Sequence, residues 1–133
     1  MNATVPLRKV AGIKIFVVED NATDLKLICS VLKVAGYEVS PATSAEQAIA
    51  TLKSSQPDAI VIDLDLPQMD GVSLARVLKQ TPNISEIPLL AVTSYPDHFS
   101  KSDVRDAQFA AYLTKPLDTR ALSHQIAAVL NLN

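Results

Sequence analysis

Residues 59–62 are apolar at every position, and the run ends directly at Asp63. A short run of this kind, rich in β-branched residues, is typical of a strand that is buried on both faces. Such strands occur in parallel sheets that are covered by helices on each side. The run therefore predicts an α/β domain, and it predicts a partner for Asp63, because an unpaired buried charge is costly.

Four further strands are predicted by short apolar runs, and amphipathic helical patterns separate them. The runs cover residues 13–18, 37–40, 88–92 and 111–113. Local signals support the helices: Ser44 and Gln47 form a capping-box pattern, and Gly36 lies where a helix C-cap glycine is expected. The regular alternation of strand and helix predicts a doubly wound, five-stranded parallel sheet with right-handed crossovers.

The composition narrows the possible functions. The 133 residues suit one domain, and the chain is 48% hydrophobic with a formal net charge of −2, as in a globular protein. The sequence has no cluster of Lys and Arg that could neutralise a run of phosphates, so a nucleic-acid partner is not expected. The lone cysteine and the lack of a long apolar run predict a cytoplasmic protein without disulfides or a membrane span. Residues 1–12 are interpreted as a loose N-terminal tail, and residues 13–131 as the domain.

Polar side chains follow four of the five predicted strands. Glu19 and Asp20 follow the first strand, Asp63 the third, Thr93 the fourth, and Lys115 the fifth. Ligand sites in open α/β sheets lie beyond the carboxyl ends of the strands, near the reversal of strand order. Three carboxylates there would repel one another, and one lysine does not balance them. The pattern predicts a Mg²⁺ site whose ion and lysine would orient a phosphoryl group against a carboxylate.

Four motifs carry a resemblance to a known family. They are the acidic pair after the first strand, the segment DLDLPQMDG at 63–71, the pair Thr93-Ser94, and TKP at 114–116. In this order, and each at a predicted strand end, they resemble the receiver domains of bacterial response regulators, including chemotaxis receivers. The resemblance covers about residues 13–130. It implies a flavodoxin-like sheet of strand order 2-1-3-4-5 and a cis peptide bond between Lys115 and Pro116.

The resemblance also implies how a phosphoryl group would be accepted. Asp63 would be the phosphoacceptor in a two-component system or phosphorelay, and the chain would not be a turnover enzyme. Mg²⁺ would be held by Asp20, by Glu19 through a water molecule, by Asp63, and by the backbone carbonyl of Asp65. The side chain of Asp65 is expected to be a solvated loop residue.

A conformational switch follows from the same resemblance. Thr93 and Lys115 would move toward the phosphoryl group, and Tyr112 would turn inward to fill the space that Thr93 leaves. The surface of the fourth helix, fifth strand and fifth helix would then change. The implied partners are a sensor histidine kinase or histidine phosphotransfer protein, a downstream protein, and a second copy that would dimerise through that surface.

One position departs from the family pattern. Gln108 lies at the end of the fourth helix, where receivers commonly have glycine. Glycine is favoured there because it adopts the left-handed backbone that closes many helices. A distorted end of the fourth helix is therefore expected.

Three other functions remain open on the residues themselves. The Asp-x-Asp of Asp63 and Asp65 resembles the motif of haloacid-dehalogenase-type phosphatases, although it follows the third strand and precedes Leu-Pro. A flavodoxin-like cofactor module would need a phosphate-binding loop after the first strand, which is not seen. A degenerate receiver would only bind partners. The last helix ends near Asn133, so a stand-alone receiver, a relay intermediate and a fragment of a longer regulator are all compatible with the sequence.

Overall fold

Five strands alternate with five α-helices in the computed structural model, which describes residues 10–132. The strands are β1 (Lys14–Val18), β2 (Glu38–Ala42), β3 (Ala59–Asp63), β4 (Leu89–Thr93) and β5 (Ala111–Thr114). The helices are α1 (Ala22–Val34), α2 (Ala45–Leu52), α3 (Gly71–Lys79), α4 (Lys101–Asp106) and α5 (Thr119–Val129), and a 3-10 turn (Pro96–His98) precedes α4. Within residues 10–132, no helix has the length and apolar character needed to cross a membrane.

All five strands are parallel, and their order is β2-β1-β3-β4-β5, which confirms the predicted sheet. Val18 pairs with Ile62, and Asp63 pairs with Val92. The carboxyl ends of β1, β3 and β4 therefore meet at one edge. The chain runs outward from β1 to β2 and then crosses to β3, so strand order reverses between β1 and β3.

The apolar strands are explained by two hydrophobic layers, one on each face of the sheet. Phe16 and Ile62 belong to the cluster that α2, α3 and α4 cover. Their neighbours Ile15 and Val61 belong to the cluster that α1 and α5 cover. Because successive side chains of a strand point to opposite faces, a strand covered on both sides must be apolar throughout.

Side-chain caps fix where the helices begin. Asn21 accepts a hydrogen bond from the backbone N–H of Asp24 at 2.9 Å, and Ser44 accepts one from Gln47 at 3.0 Å. Asp118 accepts from two backbone N–H groups at the start of α5. These contacts satisfy N–H groups that the first helical turn leaves unpaired. The Lys115-Pro116 bond, three residues before α5, is cis as expected.

Most of the predicted tail, residues 1–12, lies outside the described residues. At its end, the backbone carbonyl of Val10 accepts a hydrogen bond from Ile13 N at 3.0 Å. The Val10 side chain packs against the cluster between the sheet and helices α1 and α5. The division into a tail and a domain at residue 13 stays a prediction.

Gln108 adopts the left-handed backbone conformation that favours glycine. Its φ is 61°, in the left-handed region, whereas Ala107 before it is helical with φ −74°. The expected distortion of α4 is therefore absent, because the glutamine itself takes up the unfavourable conformation. A side chain in this region costs about 1–2 kcal/mol relative to the right-handed helical region.

Replacing Gln108 by glycine is expected to stabilise the protein. Relief of the left-handed strain exceeds the extra entropy that glycine loses on folding, so the free energy of unfolding should rise by up to about 1 kcal/mol. Gln80 is the matched control, since it is also an exposed helix-terminal glutamine but has φ −104°. Gln80→Gly should lower the free energy of unfolding by about 0.5–1 kcal/mol. Urea denaturation measures the free energy of unfolding of both variants. Equal losses of this free energy in the two variants would show that Gln108 is not strained.

Candidate functional site

Asp63 is the last residue of β3 and is 4% exposed. One carboxylate oxygen, Oδ1, accepts a hydrogen bond from the backbone N–H of Asp65 at 3.0 Å. Gly71 packs directly behind this turn: a Cβ atom there would lie 2.6 Å from the Asp63 carbonyl oxygen. A side chain at Gly71 would thus displace the start of α3. The Asp63 carboxylate is held at the sheet edge by its own loop.

Three carboxylates converge at the end of β1 and β3, as the sequence predicted. Glu19, Asp20 and Asp63 each offer an oxygen atom, and these atoms lie within 4.8 Å of one another. Glu19 is fully buried, and Asp20 is exposed. Carboxylate oxygens are the ligands that Mg²⁺ prefers, and an edge open on one side allows the ion to keep several waters. The residues present therefore fit a magnesium ion.

Lys115 lies at the centre of this acidic group. Its Nζ atom donates to Glu19 Oε1 at 2.7 Å and to Asp24 Oδ2 at 2.8 Å, and it lies 3.5 Å from Asp63 Oδ2. Asp24 was not predicted from the sequence to belong to the site. Asp24 stands one helical turn after Asp20, in the first turn of α1, and this spacing was the available signal.

The buried charges shift the pKa values of both Lys115 and Glu19. Burial by itself would lower the pKa of Lys115, but hydrogen bonds to Asp24 and Glu19 outweigh it, so the pKa lies above its ordinary value. Burial and, next, the hydrogen bond to Asp63 raise the pKa of Glu19 to about 8, although the hydrogen bond to Lys115 acts to lower it. Two carboxylates this close in a desolvated site favour retention of one proton.

The side chain of Asp65 connects β3 to β4, so the prediction that it is solvated is wrong. Its Oδ2 atom accepts hydrogen bonds from Thr93 Oγ1 at 2.7 Å and from the backbone N–H of Ser94 at 3.0 Å. Thr93 is fully buried, and its Oγ1 also accepts from the backbone N–H of Tyr95 at 3.0 Å. Asp65 Oδ1 is buried and makes no hydrogen bond to any described residue.

Tyr112 lies in β5 and is 39% exposed. It lines a largely apolar cavity of about 470 Å³ together with residues of α4 and the preceding loop, among them Phe99 and Val104. Partial burial, and then the charges of Asp65 and Asp97, raise the pKa of the Tyr112 phenol. The tyrosine thus faces the surface between α4 and β5, and its role as a switch stays a prediction.

The chain has a flavodoxin-like α/β fold of the chemotaxis-receiver type, with an acidic cluster at the carboxyl edge of its sheet. The sequence profile of the response regulator receiver domain matches residues 15–127. The chain belongs to this family. Receiver domains are signalling domains of two-component systems, in which they act with histidine kinases and downstream partners.

Individual relatives agree with the family. The chain is 28% identical to the polar-differentiation response regulator DivK of Brucella ovis over 87% of this chain and 94% of that protein. It is 34% identical to the phosphate regulon regulator PhoB of Pseudomonas aeruginosa over 90% of this chain but 52% of that protein. The receiver domain of a P. aeruginosa PAO1 sensor histidine kinase superposes with a TM-score of 0.83 at 28% identity, covering 91% of this chain and 99% of that domain. That crystal structure contains a magnesium ion coordinated in the active site cleft.

The raised pKa of Glu19 predicts a pH-dependent stability when divalent metal is removed by a chelator. The pKa rises from 4.5 to about 8 on folding, so between these values the folded protein binds more protons than the unfolded chain. The contribution of Glu19 to the free energy of unfolding is therefore fully present below pH 4.5 and is lost as the pH rises toward 8. Urea denaturation at a series of pH values should show this loss in the wild type and not in Glu19→Gln.

The exposed Glu46, in the first turn of α2, provides the control. Glu46→Gln removes one carboxylate elsewhere on the protein and should retain the pH dependence of the wild type. Identical pH dependence in the wild type and Glu19→Gln would show that Glu19 does not hold its proton in the folded state.

Proposed function

We propose that Asp63 accepts a phosphoryl group from the phosphohistidine of a sensor histidine kinase or a histidine phosphotransfer protein. A carboxylate oxygen of Asp63 attacks phosphorus while the P–N bond of the phosphohistidine breaks. The imidazole leaves with the electron pair of that bond and takes up a proton from solvent. The observation that carries the proposal is the placement of Asp63, at the carboxyl end of β3 with Lys115 Nζ 3.5 Å away and two further carboxylates beside it.

The residues that would hold Mg²⁺ are Asp20, Asp63, the backbone carbonyl of Asp65, and Glu19 through a water molecule. When bound, the ion would supply positive charge that neutralises the transferring phosphoryl oxygens. The convergence of three carboxylates supports this assignment, as does the magnesium ion in the related kinase receiver domain.

Lys115 would provide the protein's own positive charge to the phosphoryl group. Its ammonium group lies 2.7 Å from Glu19 and 2.8 Å from Asp24. The distance from the same group to Asp63 is 3.5 Å, which is longer than a strong hydrogen bond. An acyl phosphate on Asp63 would offer it a stronger anionic acceptor. Lys115 would then exchange a carboxylate partner for a phosphoryl oxygen without leaving the acidic group, so the movement required is small.

The output of phosphorylation would be a change on the surface formed by α4, β5 and α5. Thr93 would move toward the phosphoryl group, and Tyr112 would turn inward into the space it leaves. The partly exposed position of Tyr112 beside an apolar cavity is compatible with such a rotation. A downstream protein, or a second copy of this chain, would bind the changed surface.

The phosphatase alternative finds no support in the position of Asp65. In that mechanism the second aspartate is a general acid, which needs a carboxyl group free to reach the substrate. Asp65 Oδ2 is instead occupied by Thr93 and Ser94, and Asp65 Oδ1 is buried. The chain would assist its own phosphorylation and dephosphorylation and would not turn over an external phosphomonoester.

Phosphorylation can be tested with two small donors, acetyl phosphate and phosphoramidate, the second of which has the P–N bond of a phosphohistidine. We expect intact mass spectrometry to show a gain of one phosphoryl group that requires Mg²⁺ and is lost in Asp63→Asn. The physical reason is that the asparagine amide is not a nucleophile, although it preserves the size of the side chain.

Asp58→Asn is the matched control, because Asp58 stands at the opposite end of the same strand, where it accepts a hydrogen bond from the Lys14 backbone N–H at 2.8 Å. It should be phosphorylated like the wild type. Failure of the folded wild-type protein to gain mass with either donor would support the degenerate receiver and refute the proposal.

A further inference from the structure

The single donor proton of the Thr93 hydroxyl group is already engaged. The hydroxyl group donates this proton to Asp65 Oδ2 at 2.7 Å, and its oxygen accepts from the backbone N–H of Tyr95 at 3.0 Å. A hydroxyl group donates a single hydrogen bond at a time. Thr93 therefore cannot donate to a phosphoryl oxygen on Asp63 while it donates to Asp65.

Asp65 is held at both its backbone and its side chain. Its backbone N–H donates to Asp63 Oδ1 at 3.0 Å, and its carboxylate also accepts from the Ser94 N–H at 3.0 Å. The residue thus joins the phosphoacceptor loop after β3 to the first residue of the loop after β4. Its anionic carboxylate accepts hydrogen bonds from the Thr93 hydroxyl group and the Ser94 amide at the end of β4.

We propose that the Asp65 side chain is a latch that holds Thr93 and Ser94 in the unphosphorylated state and must release them when Asp63 is phosphorylated. This inference rests on the proposed function. An acyl phosphate on Asp63 competes with the Asp65 carboxylate for the Thr93 proton. It also repels that carboxylate, because both groups are anionic and the Asp65 backbone keeps them close. Asp65 is a positioning residue that opposes the phosphorylated state.

One oxygen of the latch has no protein donor among the described residues, which favours its release. Asp65 Oδ1 is buried and makes no hydrogen bond within residues 10–132. A buried carboxylate oxygen without a donor loses the hydration it would have in water. Movement of the side chain toward solvent would restore that hydration and would compensate in part for the lost contacts with Thr93 and Ser94.

Release of the latch would also affect the loop that leads to α4. Ser94 is followed by Tyr95, whose ring stacks on His98 with centroids 4.8 Å apart, and by the 3-10 turn at Pro96–His98. When Ser94 loses its carboxylate acceptor, the first anchored position of this loop becomes free to move. The latch therefore couples occupancy of Asp63 to the segment that precedes α4.

The test uses beryllofluoride, a phosphoryl analogue, as an equilibrium probe in the presence of Mg²⁺. Amide NMR of Ser94 would follow its binding to the wild type, Asp65→Ala and Asp65→Asn. We expect about tenfold tighter binding by Asp65→Ala, because no hydrogen bond to a charged acceptor has to be broken. Asp65→Asn removes the charge but keeps an acceptor oxygen, so its gain in affinity for beryllofluoride should be smaller than that of Asp65→Ala. The amide NMR resonance of Ser94 should already be shifted in Asp65→Ala before any beryllofluoride is added.

A Thr93→Ala background separates the latch from simple charge repulsion. In the Thr93→Ala background, the Asp65→Ala substitution should raise the affinity for beryllofluoride less than it does when Thr93 is present. Equal affinity in the wild type and Asp65→Ala, equal gains in Asp65→Ala and Asp65→Asn, or an unmoved Ser94 amide would each overturn the latch and leave the proposed function standing. Absence of both beryllofluoride binding and phosphorylation in the wild type would refute the proposed function, and the latch with it.

Discussion

Concentrated negative charge at one edge of an apolar sheet is the constraint on which the rest of the site depends. Five carboxylates gather at this edge. Glu19, Asp24 and Asp63 surround the Lys115 ammonium group, and Asp20 and Asp65 adjoin Asp63. Charges that are partly withdrawn from water interact strongly and must be compensated by protons, cations or hydrogen-bond donors. The raised pKa values of Glu19 and Lys115 are two consequences of this requirement, and the fitness of the edge for Mg²⁺ is a third.

The topology of the sheet produces this concentration of charge. In a parallel sheet all carboxyl ends lie on the same side, and the reversal of strand order between β1 and β3 leaves a crevice that no crossover helix fills. Helices cover both faces, so polar residues are excluded from the middle of the central strands β1, β3 and β4 and appear where these strands end. The same arrangement that buries the core thus places acidic and hydroxyl side chains side by side at one edge.

The donors at this edge have acceptors that an incoming phosphoryl group could replace. Lys115 is bound by Glu19 and Asp24, and Thr93 is bound by Asp65. Each contact stabilises the unphosphorylated arrangement, and each would be exchanged for a phosphoryl oxygen under the proposed function. A site that exchanges hydrogen-bond partners in this way changes conformation at a small net cost, because few donors are left unpaired at any stage.

Sequence by itself determined the strands and the Ser44 cap of α2, because hydrophobic periodicity and capping are local. It also determined that the polar residues after β1, β3, β4 and β5 converge on one edge, because parallel strands share one direction. Only the tertiary structure decided the hydrogen-bond partners. Lys115 reaches Asp24 across 91 positions and Thr93 reaches Asp65 across 28. Asp65 was expected to be solvated, since a loop aspartate carries no periodic signal. Which side chains meet depends on loop paths and side-chain conformations, which are set when the whole domain packs.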